Sequence, residues 1–197
     1  MGKLKGNLVN EKQKPIISIG MPVYNNIETV SDAISTILSQ SFSNFELIIS
    51  DNLSTDGTES ICRSFAEKDS RITYVRQKEN TGLNNFLYLY KKAQGEFFMW
   101  APAHYTRSSN FLEQSLNVLK ENPACTFAST NNCWIGEEES GRLNKFVFEG
   151  TVYERISNYL DCYMQSHACF YALFRRESME GVENLTKYYI AFDNAFI

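Results

Sequence analysis

Short apolar runs alternate with helically spaced apolar residues from residue 16 to residue 129. Ile16 to Met21 reads as a strand, and Ile27, Val30, Ile34, Ile37 and Leu38 then fall on one helical face. Asn25 stands where a helix cap belongs, with Glu28 three residues on as its capping-box partner. Phe45 to Ile49 predicts a second strand. Asp56 and Glu59 offer a second cap, ahead of Ile61, Cys62 and Phe65. Ile72 to Val75 predicts a third strand, and Leu83, Phe86, Leu87 and Tyr90 a third helix ending near Gly95. Phe97 to Trp100 predicts a fourth strand. Asn110 then caps a helix carrying Leu112, Leu116 and Leu119 and stopped by Pro123. Thr126 to Ser129 predicts a fifth strand. Strand–helix alternation of this kind implies right-handed crossovers and an α/β fold, a mostly parallel central sheet flanked by helices.

The rhythm changes after residue 130. Residues 137–141 read as an exposed acidic turn, Lys145 to Phe148 as a strand, Val152 to Tyr163 as a helix and His167 to Phe174 as a strand. Ligands of open parallel sheets bind beyond the carboxyl ends of the strands. The segments to inspect are therefore the strand exits at 22–26, 50–57, 76–82, 101–107 and 129–134.

Composition narrows the function classes. The 197 residues are 43% hydrophobic and 21% charged, ordinary globular usage for a single domain over 15–197 behind a loose polar leader, 1–14. Net charge is −4 and no Lys/Arg block stands out, so the footprint of a nucleic-acid binder is missing. Aromatic residues reach 14%, which suits strands, cores and sugar-binding clefts alike. The five cysteines, Cys62, Cys125, Cys133, Cys162 and Cys169, are odd in number and lack C-x-x-C spacing. They read as small buried hydrophobes in a reducing compartment. No apolar run is long enough to span a membrane, and the start lacks the apolar segment of a signal peptide. The expectation is a cytoplasmic protein, with peripheral contact at the inner face of the membrane allowed.

The exits carry the chemistry. The first is Pro22-Val23-Tyr24-Asn25-Asn26, and the second is Ser50-Asp51-Asn52-Leu53-Ser54-Thr55-Asp56-Gly57-Thr58. Between them lies Gln40-Ser41-Phe42-Ser43-Asn44-Phe45-Glu46. In this order and spacing the chain resembles the family-two glycosyltransferases, inverting enzymes with the GT-A fold. Their members show P-x-Y-N, then S-x-L-x-Q-[ST]-[FY]-x-[ND]-[FWY]-E, then [DE]-[DN]-x-S-x-D-G-T. Asn80-x-Gly82 and Ala93-x-Gly95-Glu96 fit as well, and the likeness is dense from about residue 15 to 115.

The resemblance implies a nucleotide lying along Pro22, Val23, Tyr24 and Asn25, with the pair Asp51 and Asn52 reading a uracil ring. A nucleobase needs a flat surface and a few hydrogen-bonding groups, which Tyr24 with Asp51 or Asn52 can supply. An amide at Asn52 keeps an acceptor and adds a donor. Ser54 and Asp56 are expected to be mainly structural, in turn and cap hydrogen bonds.

The family's D-x-D-like motif, which holds Mn²⁺ or Mg²⁺ against the donor diphosphate, falls on Pro102-Ala103-His104-Tyr105. No carboxylate remains there, and the principal metal-binding position is His104. A neutral imidazole can ligate Mn²⁺ but suits Mg²⁺ poorly and brings no charge. His104 is thus a replacement metal ligand, a direct diphosphate contact, or a loop residue left after the metal site eroded. Arg107 is an alternative source of positive charge for phosphate. The resemblance further implies a carboxylate base near the end of the domain, and Asp193 is the one that fits. A helix cap is the structural alternative for Asp193. His167 is an acceptor contact or a core histidine. The chain stops four residues after Asp193, where family members continue, so a truncated domain is expected.

The functional expectation is transfer of a sugar from a nucleotide-activated donor, a UDP-sugar, to a glycan or lipid-linked acceptor hydroxyl in polysaccharide biosynthesis. The alternative is a non-catalytic nucleotide-binding or interaction module on a degenerate glycosyltransferase fold. A dinucleotide-dependent oxidoreductase is disfavoured, because no G-x-G-x-x-G follows the first strand.

Overall fold

A computed structural model describes residues 14–129 and 171–179 of the chain. Within these residues six strands form one sheet: β1 (Ile17–Val23), β2 (Phe45–Asp51), β3 (Ile72–Arg76), β4 (Phe97–Trp100), β5 (Phe127–Ala128) and β6 (Leu173–Arg175). Their order across the sheet is β3-β2-β1-β4-β6-β5. β1 pairs in parallel with both β2 and β4, and β2 with β3. β6 runs antiparallel to β4 and β5. The winding reverses at β1, since β2 and β3 lie to one side and β4 to the other. The carboxyl ends of β1 and β4 therefore flank the crevice where such sheets bind ligands.

Among the described residues four α-helices cover the sheet: α1 (Val30–Leu38), α2 (Thr58–Lys68), α3 (Asn84–Lys92) and α4 (Phe111–Glu121). Side chains alternate across a strand, so each face gathers its own core. Ile17, Ile19, Met21, Leu47 and Ile49 pack with Val30, Ile34 and Cys62 and with Leu112, Leu116 and Leu119 of α4. Ile48, Phe98 and Trp100 pack on the opposite face with Leu89 of α3 and with Met179. There Phe98 meets Trp100 edge-on at 4.9 Å and Tyr90 at 5.4 Å. All seven residues of β1 are buried, as expected of a central parallel strand.

Sequence motifs outside the crevice build this frame. The Gln40 carboxamide Oε1 accepts the Leu112 N–H at 3.0 Å, while its Nε2 donates to the Ser108 and Thr36 carbonyls. Ser41 Oγ donates to Glu113 at 2.7 Å. The Gln-Ser pair thus caps α4 and fixes the loop leaving β4. Gly95 lies against β1, with its N–H donating to Ser18 Oγ at 2.7 Å. A Cβ there would meet Ser18 N at 2.7 Å and Ile16 O at 2.9 Å, both backbone atoms.

Several local expectations are corrected. Asn25 does not cap α1: its φ is +51°, its Oδ1 accepts the Thr55 N–H, and the cap position is Thr29. Ile27 lies in the preceding loop and is exposed rather than on the helix face. Asn110 holds the cap position of α4 without a side-chain hydrogen bond, a role Gln40 fills from a distance. Cys125 is exposed in the turn after α4, whereas Cys62 is fully buried. The strand expected over 167–174 is described from Leu173 onward, as β6. Residues 1–13 of the expected 1–14 leader, the elements expected at 145–148 and 152–163, and Cys133, Cys162 and Cys169 lie outside the described residues.

Candidate functional site

The first two exits are stitched into one unit. The Asn25 N–H donates to Ser54 Oγ at 3.0 Å, and the Thr55 N–H donates back to Asn25 Oδ1 at 2.9 Å. The Asn26 N–H donates to Thr58 Oγ1 at 2.8 Å, and the Ile27 N–H to Asp56 Oδ2 at 3.0 Å. The Asn52 N–H reaches the Val23 carbonyl at 2.8 Å. Asn25 and Leu53, the two non-glycine residues with positive φ among the described residues, sit one in each loop. Such backbone costs about 1–3 kcal/mol and persists where surrounding bonds over-determine it, a pattern that clusters at ligand sites. Ser54 and Asp56 act as the framework expected of them. Asp56 is partly desolvated, yet bonds from the Thr58 hydroxyl and N–H and the Ile27 N–H hold its carboxyl below the usual range.

Asp51 is the buried hub of this unit. Its carboxylate has no exposed surface and accepts the Ser54 N–H at 2.8 Å, the Tyr74 hydroxyl at 2.7 Å and Arg76 Nη1 at 3.4 Å. Arg76 also pairs with Glu59 and donates to the Ser54 carbonyl at 3.0 Å. Burial first, then Asp51, pushes the Tyr74 phenol up, so it stays a donor. Burial, with Asp51 and Asp56 nearby, likewise pushes the Cys62 thiol up to about 12, which leaves it unreactive at neutral pH. Asp51 therefore faces the protein, and its partners Tyr74 and Arg76 were not singled out from sequence; Glu59, expected in a helix cap, instead pairs with Arg76 and Arg63, and the cap position of α2 is Gly57. The available signal was the alternation on β3, which puts residues 74 and 76 on one face beside Asp51 in register with Arg76.

Asn52 ties the second exit to the third. Its Nδ2 donates to Asn80 Oδ1 at 2.5 Å, and its Oδ1 accepts the Thr81 N–H at 2.8 Å. Behind it Ser50 Oγ donates to the buried Asn85, whose Nδ2 returns to the Ser50 carbonyl at 2.9 Å. Asn80-x-Gly82 is thus a bracket for Asn52. Pro22 and Val23 are buried on the strand, and the Tyr24 side chain is half-buried at the rim, with its N–H on Asn26 Oδ1. The structure brings Pro22, Val23, Tyr24, Asn25, Asp51 and Asn52 together on two adjacent exits.

The fourth exit is different in character. Ala103 is buried and His104 exposed, with the His104 ring edge-on to Tyr105 at 4.6 Å and Tyr105 edge-on to Tyr171 at 5.6 Å. Tyr171 precedes β6, whose antiparallel pairing with β4 carries it to this end of the sheet. The Arg107 guanidinium lies 4.5 Å from the centre of the Phe111 ring and donates to the Tyr171 carbonyl at 3.4 Å. Burial pulls it down to about 10, with Tyr171 and Tyr105 pushing the other way, so it is a cation at neutral pH. Among the described residues no group of three or more His, Cys, Asp or Glu side chains could hold a metal ion. One neutral imidazole does not make a site for Mg²⁺ or Mn²⁺, which want carboxylate or carbonyl oxygens. Asp193 and His167 lie outside the described residues.

Comparison with known proteins agrees with this geometry. Residues 18–182 match the sequence model of Glycosyl transferase family 2. The chain is 30% identical over 138 residues to the putative teichuronic acid biosynthesis glycosyltransferase TuaG of Bacillus subtilis, covering 68% of this chain and 53% of that protein. It is 35% identical over 108 residues to an uncharacterized glycosyltransferase of Rickettsia typhi, covering 54% of this chain and 33% of the relative. The chain thus spans between a third and about half the length of these relatives. Among solved structures, Staphylococcus aureus TarS 1–349 aligns with a TM-score of 0.64 at 19% identity over 85% of this chain and 49% of that one. A mannosyltransferase from Pyrobaculum calidifontis in complex with GDP-Man and Mn²⁺ aligns with a TM-score of 0.55 at 23% identity, over 60% and 36%. These two likenesses show the GT-A fold.

Proposed function

The chain belongs to glycosyl transferase family 2, and we propose that it transfers a sugar, with inversion, from a UDP-sugar to an acceptor hydroxyl in glycan assembly. The observation that carries this reading is the pair of hydrogen-bonded exits, each holding a left-handed residue, at the switch point of a parallel sheet. The nucleotide lies along Pro22, Val23, Tyr24 and Asn25, with the Tyr24 ring at the base and Asn52 at its polar edge. Asp51 holds the loop in shape from beneath, through Ser54, Tyr74 and Arg76. TarS has been solved with UDP and with UDP-GlcNAc, which supports a uridine nucleotide here by analogy of fold.

The chemistry follows from the donor. The acceptor oxygen attacks the anomeric carbon from the face opposite the diphosphate and gives its proton to a carboxylate. The bond from the anomeric carbon to the phosphate oxygen breaks, its electron pair leaving with UDP. Asp193 is the base in this reading, and His104 a direct contact to the diphosphate. A lipid-linked or polysaccharide acceptor, met in the cytoplasm at the inner face of the membrane, suits such a donor. No helix among the described residues is long and apolar enough to cross a membrane.

Calorimetry with UDP tests the site. Tyr24→Ala should weaken binding by about 1–3 kcal/mol, the range of base–aromatic stacking. Unchanged affinity in both Tyr24→Ala and Asn52→Ala would displace the site. Turnover is tested by UDP release from a panel of UDP-sugars, with product anomeric configuration read by NMR. The absence of any carboxylate at 102–105 favours one other reading, a nucleotide-binding module without turnover. That reading predicts UDP binding with no sugar transfer.

A further inference from the structure

We propose that Arg107 supplies the positive charge that meets the donor diphosphate, so that nucleotide binding in this chain runs without a divalent cation. The inference rests on the function proposed above and concerns the part of the site that does not fit a metal. Its ground is a cation with no counter-charge among the described residues. Arg107 is half-buried at the β4 exit, three residues beyond His104, and makes no ion pair with any described residue. Its single described hydrogen bond is the long one to the Tyr171 carbonyl, 3.4 Å. A guanidinium has five N–H donors in a planar fork that suits phosphate oxygens. The guanidinium carbon lies over the Phe111 ring, 4.5 Å from its centre.

A charge drawn partly out of water without a counter-charge is unfavourable, and an arriving anion removes that penalty. Arg71 and Arg76 solve the same problem inside the protein, with Asp69 and with Asp51 and Glu59. Arg107 has no such partner among the described residues. It also lies on the loop that leaves the carboxyl end of β4, one of the two strand ends that flank the crevice. During transfer the breaking bond leaves one additional negative charge on the departing UDP. A fixed cation beside that oxygen lowers the barrier without itself taking or giving a proton.

Two ligands separate charge pairing from mere packing. Uridine and UDP are titrated by calorimetry into the parent chain, Arg107→Gln and Arg107→Lys, in buffer with a chelator and again with Mn²⁺. A charge-assisted hydrogen bond corresponds to roughly tenfold to a hundredfold in affinity. Arg107→Gln should lose about that much for UDP, with uridine affinity unchanged and Arg107→Lys intermediate. In the parent chain Mn²⁺ should leave UDP affinity unchanged. Equal losses for uridine and UDP would make Arg107 a packing residue and overturn the proposal, as would UDP binding that requires Mn²⁺. If neither ligand binds the parent chain, the nucleotide site itself falls, a failure distinct from those two.

Discussion

Replacing Asp51 should damage the fold before it damages ligand recognition. Its carboxylate is fully buried and accepts three donors, Ser54 N–H at 2.8 Å, Tyr74 hydroxyl at 2.7 Å and Arg76 at 3.4 Å. Asp51→Ala strips all three of their acceptor at once. Removing one partner of a buried ion pair costs about 3–5 kcal/mol. Arg76 keeps Glu59 and the Ser54 carbonyl, and its side chain is 27% exposed, so the lower half of that range applies. Asp51→Asn keeps the shape and one acceptor, and loses the charge-assisted part, about 1.5–3 kcal/mol.

Urea unfolding reads this directly. With a slope of about 2 kcal/mol/M, a loss of about 3 kcal/mol lowers the midpoint by about 1.5 M. A double-mutant cycle between Asp51→Ala and Tyr74→Phe should return a coupling of at least about 0.5 kcal/mol. An Asp51→Ala midpoint equal to that of the parent, with lost UDP binding, would refute the reasoning. Asp51 would then be a ligand residue rather than the buried support of the loops.

Gly95→Ala should destabilise the fold by about 1–3 kcal/mol in the same assay, because its methyl would press on backbone atoms of β1 that cannot turn aside. Acid should unfold the stitched loops. The Asp56 carboxyl lies below its usual range in the folded state, so its stabilisation is complete above the unfolded value near pH 4 and is lost as pH falls through the folded value. Asp56→Asn should flatten that part of the stability–pH curve, which unfolding at stepped pH will show. His104→Asp restores a carboxylate at the fourth exit, so UDP affinity should become dependent on Mn²⁺, measured by calorimetry. Asp193→Asn should abolish sugar transfer while leaving UDP affinity intact; loss of binding would mark Asp193 as a structural cap.

The central frame was readable because periodicity and burial coincide there. β4 matches its expected span, Phe97–Trp100, and β1 and β2 each extend two residues beyond theirs, into the functional loops. What misled was the first loop. Asn25 followed by Glu28 has the spacing of a capping box, but the backbone turns left-handed at Asn25 and its side-chain Oδ1 accepts the Thr55 N–H in the neighbouring β2 exit. Local pattern cannot reveal a partner 30 residues away. The bond from Gln40 to α4 was hidden for the same reason, since its partner lies 72 residues away along the chain. The missing acidic motif at 102–105, by contrast, was plain in the sequence, and the structure adds Arg107 on Phe111 and Tyr171 beside it.

Amide NMR of the labelled chain during a UDP titration tests the central claim most directly. A nucleotide at the first two exits should shift the amides of Tyr24, Asn25, Asn52, Leu53 and Thr81 together and saturably, with those of His104 and Arg107 following when the diphosphate is present but not with uridine. The cavity of about 850 Å³ at the opposite end of the strands, lined by Lys14, Lys91, Arg175 and Arg176, should stay silent. Shifts confined to Lys91, Gly95 and Arg176, or no saturable shift at any amide, would contradict a nucleotide site at the carboxyl ends of β1 and β2.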